Sequence, residues 1–78
     1  MSSTLKLSLI PAGGKCRIEK LENSSREKVR LTDLGFYPGE TVEVLFRAIS
    51  GDPTAYLAEN TVIALRSCDT ENITVIPI

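Results

Sequence analysis

The chain has 78 residues, with nine basic against ten acidic side chains for a formal net charge of −1, and is 42% hydrophobic and 24% charged. That length holds a single domain, 1–78, with a thin core, because a chain this short buries only about 60% of the surface its unfolded form exposes. The charge balance excludes attraction to nucleic acid or anionic lipid as the main activity, since both need a clear positive excess.

Other classes fall away on residue type. There is no histidine and no tryptophan, which removes most catalytic triads and most zinc sites. Gly13-Gly14-Lys15-Cys16 lacks the spacing of a phosphate-binding loop. The expectation is a protein that is not an enzyme. Cys16 and Cys68 have no CxxC spacing and are read as reduced thiols, Cys16 as a small core residue. A disulfide between them would contribute about 4 kcal/mol. The apolar runs are too short to span a bilayer, and Met1 to Lys6 lacks the pattern of a signal peptide, so a cytoplasmic domain is expected. Residues 1–4 are expected to be disordered.

In chain order, Leu5 to Leu9 alternates weakly and ends at the turn cluster Pro11-Ala12-Gly13-Gly14. Lys15 to Leu21 alternates apolar with charged residues and predicts a half-buried strand. Ser24-Ser25-Arg26-Glu27 fits a capping box. It predicts a helix from Ser25 to Leu34, with Val29, Leu31 and Leu34 as its apolar stripe and Gly35 ending it. Pro38-Gly39 predicts a turn, followed by a strand from Thr41 to Ala48 whose Val42, Val44, Phe46 and Ala48 share a face. Ser50-Gly51-Asp52-Pro53 predicts a loop, with Asp52 accepting nearby amides. The return strand runs from Thr54 to Ala58. A hairpin centred on Gly51 sets Phe46 opposite Tyr56, Val44 opposite Ala58, and Leu45 opposite Leu57 on the outer face. After a tight turn at Glu59-Asn60 come a strand from Val62 to Arg66, a polar turn from Ser67 to Asn72, and a strand from Ile73 to Ile76. These elements predict a mainly β fold with one inserted helix, a small and partly open β-barrel of five to six strands.

Leu31-Thr32-Asp33-Leu34-Gly35-Phe36-Tyr37-Pro38-Gly39, then Gly51-Asp52-Pro53, Ile63-Ala64-Leu65-Arg66 and Ile73-Thr74-Val75 occur in that order within the chain. Together they resemble the FeoA family, the small cytosolic partners of the FeoB ferrous-iron transporter, from about Leu9 to Val75. The resemblance implies an SH3-like β-barrel with a helix inserted after the second strand. It further implies a non-enzymatic accessory of ferrous-iron uptake that binds FeoB, and kinship with the C-terminal domain of DtxR-type metal-dependent repressors. Leu34, Gly35, Pro38, Gly39, Gly51, Asp52, Pro53 and Leu65 carry its structural motif. Three positions depart from the family pattern: Glu59-Asn60, where a residue followed by glycine is common, Phe36 in place of an aliphatic residue, and Thr70 in place of alanine.

The candidate contacts with such a partner are Leu45 and Leu57 as an outward apolar pair, which the hairpin centred on Gly51 would create, with Arg26, Arg30, Tyr37 and Arg66 around them. For most of these a plain structural role stands beside the functional one. Arg26 and Arg30, one helical turn apart, make either a docking stripe or a solvated face. Arg66 either meets a partner carboxylate or reaches Asp52 or Asp69. No resident cofactor is expected. The alternative function is a transition-metal-sensing module binding a divalent ion such as ferrous iron, for which Cys16, Cys68, Asp69 and Glu71 would have to converge. A nucleic-acid-binding barrel lacks both a stacking platform and a basic funnel. The expected partner is thus a FeoB-type transporter at the cytoplasmic face, with no nucleic acid, no membrane insertion, and a monomer or weak homodimer.

Overall fold

The computed structural model describes residues 4–78. The disorder expected at 1–4 falls on residues outside that range, apart from Thr4, which is exposed just ahead of the first strand. The elements run β1 (Leu5–Lys6), a 3₁₀ turn (Leu7–Leu9), β2 (Lys15–Leu21), α1 (Ser25–Asp33), β3 (Thr41–Arg47), β4 (Thr54–Ala58), β5 (Thr61–Leu65), α2 (Ser67–Thr70) and β6 (Ile73–Pro77). The six strands form one antiparallel sheet in the order β1-β6-β2-β3-β4-β5. Its end strands, β1 and β5, each have one neighbour. Among the described residues hydrogen bonding therefore leaves the six-stranded sheet open between β1 and β5.

The weak alternation at Leu5 to Leu9 yields only two strand residues. Leu7 instead dips fully into the core, and the Ile10 N–H closes the 3₁₀ turn on the Leu7 carbonyl at 3.1 Å, just before Pro11. β2 has the predicted bounds but loses its period midway. Cys16 and Ile18 are buried, Glu19 and Lys20 both face water, and Leu21 turns inward again. A β-bulge against β6, between Ile18 and Lys20, supplies the extra residue that restores Leu21 to the core.

The Ser24 hydroxyl caps α1 by accepting from the Glu27 N–H at 3.3 Å. The reciprocal half of the capping box is absent, because Glu27 is held by Arg30 at 3.0 Å instead. Leu31 is buried and Leu34 half-buried, but Val29 is 64% exposed and leaves the predicted stripe. Two residues along a helix lie about 200° apart, so Val29 and Leu31 cannot share a face.

The largest correction concerns the β3–β4 hairpin. Val42 and Val44 point inward as predicted, but a bulge between Val44 and Phe46 reverses the facing of the residues after it. Val44 pairs with Tyr56, Glu43 with Leu57, and Phe46 with Ala55. Phe46 is 62% exposed on the outer face. The Leu45–Leu57 pair is not formed: Leu45 is the extra residue at the bulge, and Leu57 sits opposite Glu43.

The polar turn after β5 is a short helix, α2. Asp52 does not close a local turn; its two carboxylate oxygens accept from the Ser67 N–H at 3.0 Å and the Ser67 hydroxyl at 2.9 Å, holding the start of α2. The core gathers Leu7, Cys16, Ile18, Leu31, Phe36, Val42, Val44, Tyr56, Leu65, Ile73 and Val75. At its centre Phe36 meets Tyr56 edge to face, with ring centroids 5.9 Å apart and planes at 90°.

Candidate functional site

The end of α1 sets up a corner held by backbone and side-chain hydrogen bonds. Gly35 takes φ +101°; its N–H bonds the Thr32 carbonyl at 3.1 Å and the Phe36 N–H bonds the Leu31 carbonyl at 2.8 Å, a Schellman closure. Leu31 and Phe36, joined by that bond, are both fully buried. The chain then reverses through Tyr37-Pro38-Gly39-Glu40, closed by the Glu40 N–H on the Tyr37 carbonyl at 3.1 Å. Proline at the second position and glycine with φ +96° at the third give a type II turn.

That turn brings Tyr37 and Glu40 together, and the β4–β5 turn adds Glu59. The Tyr37 hydroxyl lies 2.7 Å from Glu59 Oε2 and 3.2 Å from Glu40 Oε2. A phenol carries one proton, and the shorter contact to Glu59 takes it. The bond to Glu59, loss of hydration and the neighbouring Glu40 carboxylate together push the Tyr37 hydroxyl up to about 12. Glu40 also accepts from the Thr41 N–H at 2.9 Å through its other oxygen. Glu59 reaches Tyr37 by lying across Gly35, where an added Cβ would stand 3.1 Å from Glu59 Oε1.

Beside this cluster Lys15, Glu40, Thr41, Glu43, Leu57, Glu59 and Asn60 line a groove of about 290 Å³. Three carboxylates against one lysine make it acidic, suited to a cationic side chain of a partner. Of the predicted contact residues, Leu57 lines this groove and Tyr37 braces two of its glutamates. Glu40, Glu43, Glu59 and Lys15 were not singled out from the sequence. The Tyr37–Glu40 spacing across a Pro-Gly turn was a usable signal for Glu40. Nothing local marks Glu59, which arrives through tertiary folding.

The other predicted residues lie elsewhere. Arg26 is exposed on α1. Arg30 is exposed but committed, 3.0 Å from Glu27 and 3.5 Å from Asp69, so it links α1 to α2. Those carboxylates also raise its pKa, with the bond to Glu27 the largest cause. Asn23 adds a second tie between these regions, its Nδ2 donating to the Asp69 carbonyl at 3.1 Å. Asp52 and Asp69, the two carboxylates considered for Arg66, are taken by Ser67 and Arg30. Arg66 is exposed at the start of α2, and Leu45 is half-buried at its bulge.

Cys16 is buried, its thiol 3.7 Å from the Val42 carbonyl and pushed up to about 11 by burial. Cys68 is exposed, and both thiols are free. The donor set weighed for a metal does not converge: among the described residues no three His, Cys, Asp or Glu side chains are grouped to hold an ion. No helix among them is long and apolar enough to cross a membrane.

The fold is thus a small antiparallel β-domain with a helix inserted after β2 and an acidic groove at one end. Solved structures similar to the chain include three iron-transport proteins. Iron(II) transport protein A from Clostridium thermocellum matches at 35% identity and TM-score 0.90, over 95% of this chain and 46% of that one. The chain therefore spans less than half the length of that relative. FeoA protein from Chlorobium tepidum matches at 30% identity and TM-score 0.90, over 95% of this chain and 70% of that one. Stenotrophomonas maltophilia FeoA complexed with zinc, described as a prokaryotic SH3 domain protein, matches at 25% identity and TM-score 0.77, over 91% and 88%. A manganese-dependent transcriptional repressor and T. acidophilum IdeR each match at 14% identity and TM-score 0.85, which shows the fold alone. No curated protein matched the sequence. The FeoA domain model matches residues 5–77, and the chain belongs to the FeoA family.

Proposed function

We propose that the protein is a non-catalytic accessory of ferrous-iron uptake that acts by contact with a FeoB-type transporter at the cytoplasmic face of the membrane. The family match over residues 5–77 carries this reading. The acidic groove braced by Tyr37 supports it, because it offers a shaped surface for a cationic partner side chain. Arg26 and Arg66 supply exposed cations elsewhere on the surface. Binding alters a GTPase or gating equilibrium only if the module has different affinity for its two states.

The test is an amide-shift titration with the soluble GTPase portion of the transporter, repeated in its nucleotide-free and nucleotide-bound forms. Shifts confined to one face, and stronger for one form, are the expected result. Ferrous and zinc ions form a separate arm of the same titration, since the S. maltophilia relative is described as complexed with zinc. Saturation by ion alone, with no response to the GTPase portion, would replace this reading with that of a metal-binding module.

A further inference from the structure

Among the described residues β5 ends the sheet, and its side away from β4 has no strand beside it. Natural sheets shield such edges by keeping them short or by placing a charge or proline on them. The opposite edge obeys that rule, since β1 is two residues long and contains Lys6. β5 does not. Thr61-Val62-Ile63-Ala64-Leu65 is five residues without charge, proline or glycine, and Val62 is 61% exposed.

The hairpin determines which backbone groups face outward. Glu59 and Asn60, with φ of 50° and 62°, make a two-residue turn between the paired residues Ala58 and Thr61. Residues flanking such a turn form a hydrogen-bonded pair, and bonded pairs then alternate along the ladder. Thr61, Ile63 and Leu65 bond to β4. The N–H and C=O of Val62 and Ala64 point to the open side.

We propose that this edge pairs with the same edge of a second copy, antiparallel about a two-fold axis at Ile63. In that register Val62 of each copy exchanges both backbone bonds with Ala64 of the other, so the open donors and acceptors are satisfied together. Ile63 meets its own counterpart at a non-hydrogen-bonded position, where side chains approach most closely. On the outer face the pairing continues the row Leu57–Val62 of one copy into Ala64, Ala55 and Phe46 of the other. Charge selects a second copy as the occupant. The uncharged strand runs from an acidic turn at Glu59 to a cation at Arg66, and Arg66 has no ion-pair partner among the described residues. Antiparallel self-pairing lays Arg66 of each copy opposite Asn60 and beside Glu59 of the other, giving the self-complementary contact that a two-fold dimer requires.

Sedimentation equilibrium of the 78-residue chain over a concentration series tests this. The wild type is expected to show a monomer–dimer equilibrium. Ala64→Pro removes an N–H that has no partner within one copy, so it should weaken association by about tenfold or more while the circular dichroism spectrum stays unchanged. Ile63→Cys in a Cys68→Ser background should form a disulfide-linked dimer on mild oxidation, and this decides the matter if the proline variant does not fold. A wild type that stays monomeric at millimolar concentration overturns the proposal and leaves the edge to a strand of another protein. A dimer that survives Ala64→Pro, or an Ile63→Cys chain that does not cross-link, overturns it by placing the contact elsewhere.

Discussion

Two corners of the molecule reverse the chain by opposite means. Between α1 and β3 the reversal is anchored from inside, with Leu31 and Phe36 fully buried and Phe36 set against Tyr56. Between β3 and β4 it is anchored from outside by polar bonds. Asp52 holds Ser67, the Ser50 hydroxyl bonds the Asp52 carbonyl at 2.9 Å, and Arg47 reaches the carbonyls of Ser8 at 3.3 Å and Ile10 at 2.8 Å. Ile49 between them is fully exposed. The first corner shares the energetics of the whole core. The second holds only its immediate neighbours, so it can loosen while the core stays folded.

The contrast is tested most severely by Phe36→Ala, which should cost about 3–5 kcal/mol and lower the midpoint of denaturant unfolding for the entire chain. A loss well below that would place the corner outside the core. Gly35→Ala forces a side chain into a left-handed conformation and against Glu59, and is expected to cost about 1–2 kcal/mol from the backbone alone. Removing the collision with Glu59→Ala should recover only the remainder, which a double-mutant cycle in thermal unfolding separates. Asp52→Ala should cost about 1–2 kcal/mol. Its signature is faster amide exchange confined to α2 and the β3–β4 loop; faster exchange at Ile18 or Val75 would erase the distinction between the corners.

The effect that leaves both corners folded at neutral pH is on alkaline stability. The Tyr37 hydroxyl is raised from 10.0 to about 12 and the Cys16 thiol from 9.0 to about 11. Both are neutral when protonated, and folding favours that form. Their contribution is complete below the unfolded values and is lost as pH rises, from 9 to 11 for Cys16 and from 10 to 12 for Tyr37. The Tyr37 ring shift followed by NMR should therefore titrate near pH 12, and in a Glu59→Gln variant markedly lower. A midpoint unmoved by that substitution would remove Glu59 as the main cause.

Legibility in the sequence divides along similar lines. Ser24, Gly35 and Pro38-Gly39 act through the backbone of their own segment, and the helix start, the helix end and the type II turn are set by residue type alone. The two bulges are harder to read, yet each leaves a trace where the alternation fails: the polar pair Glu19-Lys20 and the apolar pair Leu45-Phe46. A regular register smooths over the second, placing Phe46 inside and creating the Leu45–Leu57 pair. The capping of α2 by Asp52 and the bond from Tyr37 to Glu59 join residues 15 and 22 positions apart. No local pattern encodes them, because they exist only once the sheet has brought distant segments together.

The position of β6 in the sheet has a consequence in time. It is the last strand of the sheet to be synthesised, yet it lies between β1 and β2, pairing Leu5 with Val75 on one side and Ile18 with Val75 on the other. Until residues 73–77 exist, β1 has no neighbour at all and β2 has only β3. The β3–β4–β5 meander is built from nearest neighbours along the chain and closes only short loops, whereas the other half waits for its middle strand. A nascent chain halted before Ile73 would thus present a half-built sheet, its Cys16–Ile18 edge open to whatever strand arrives first.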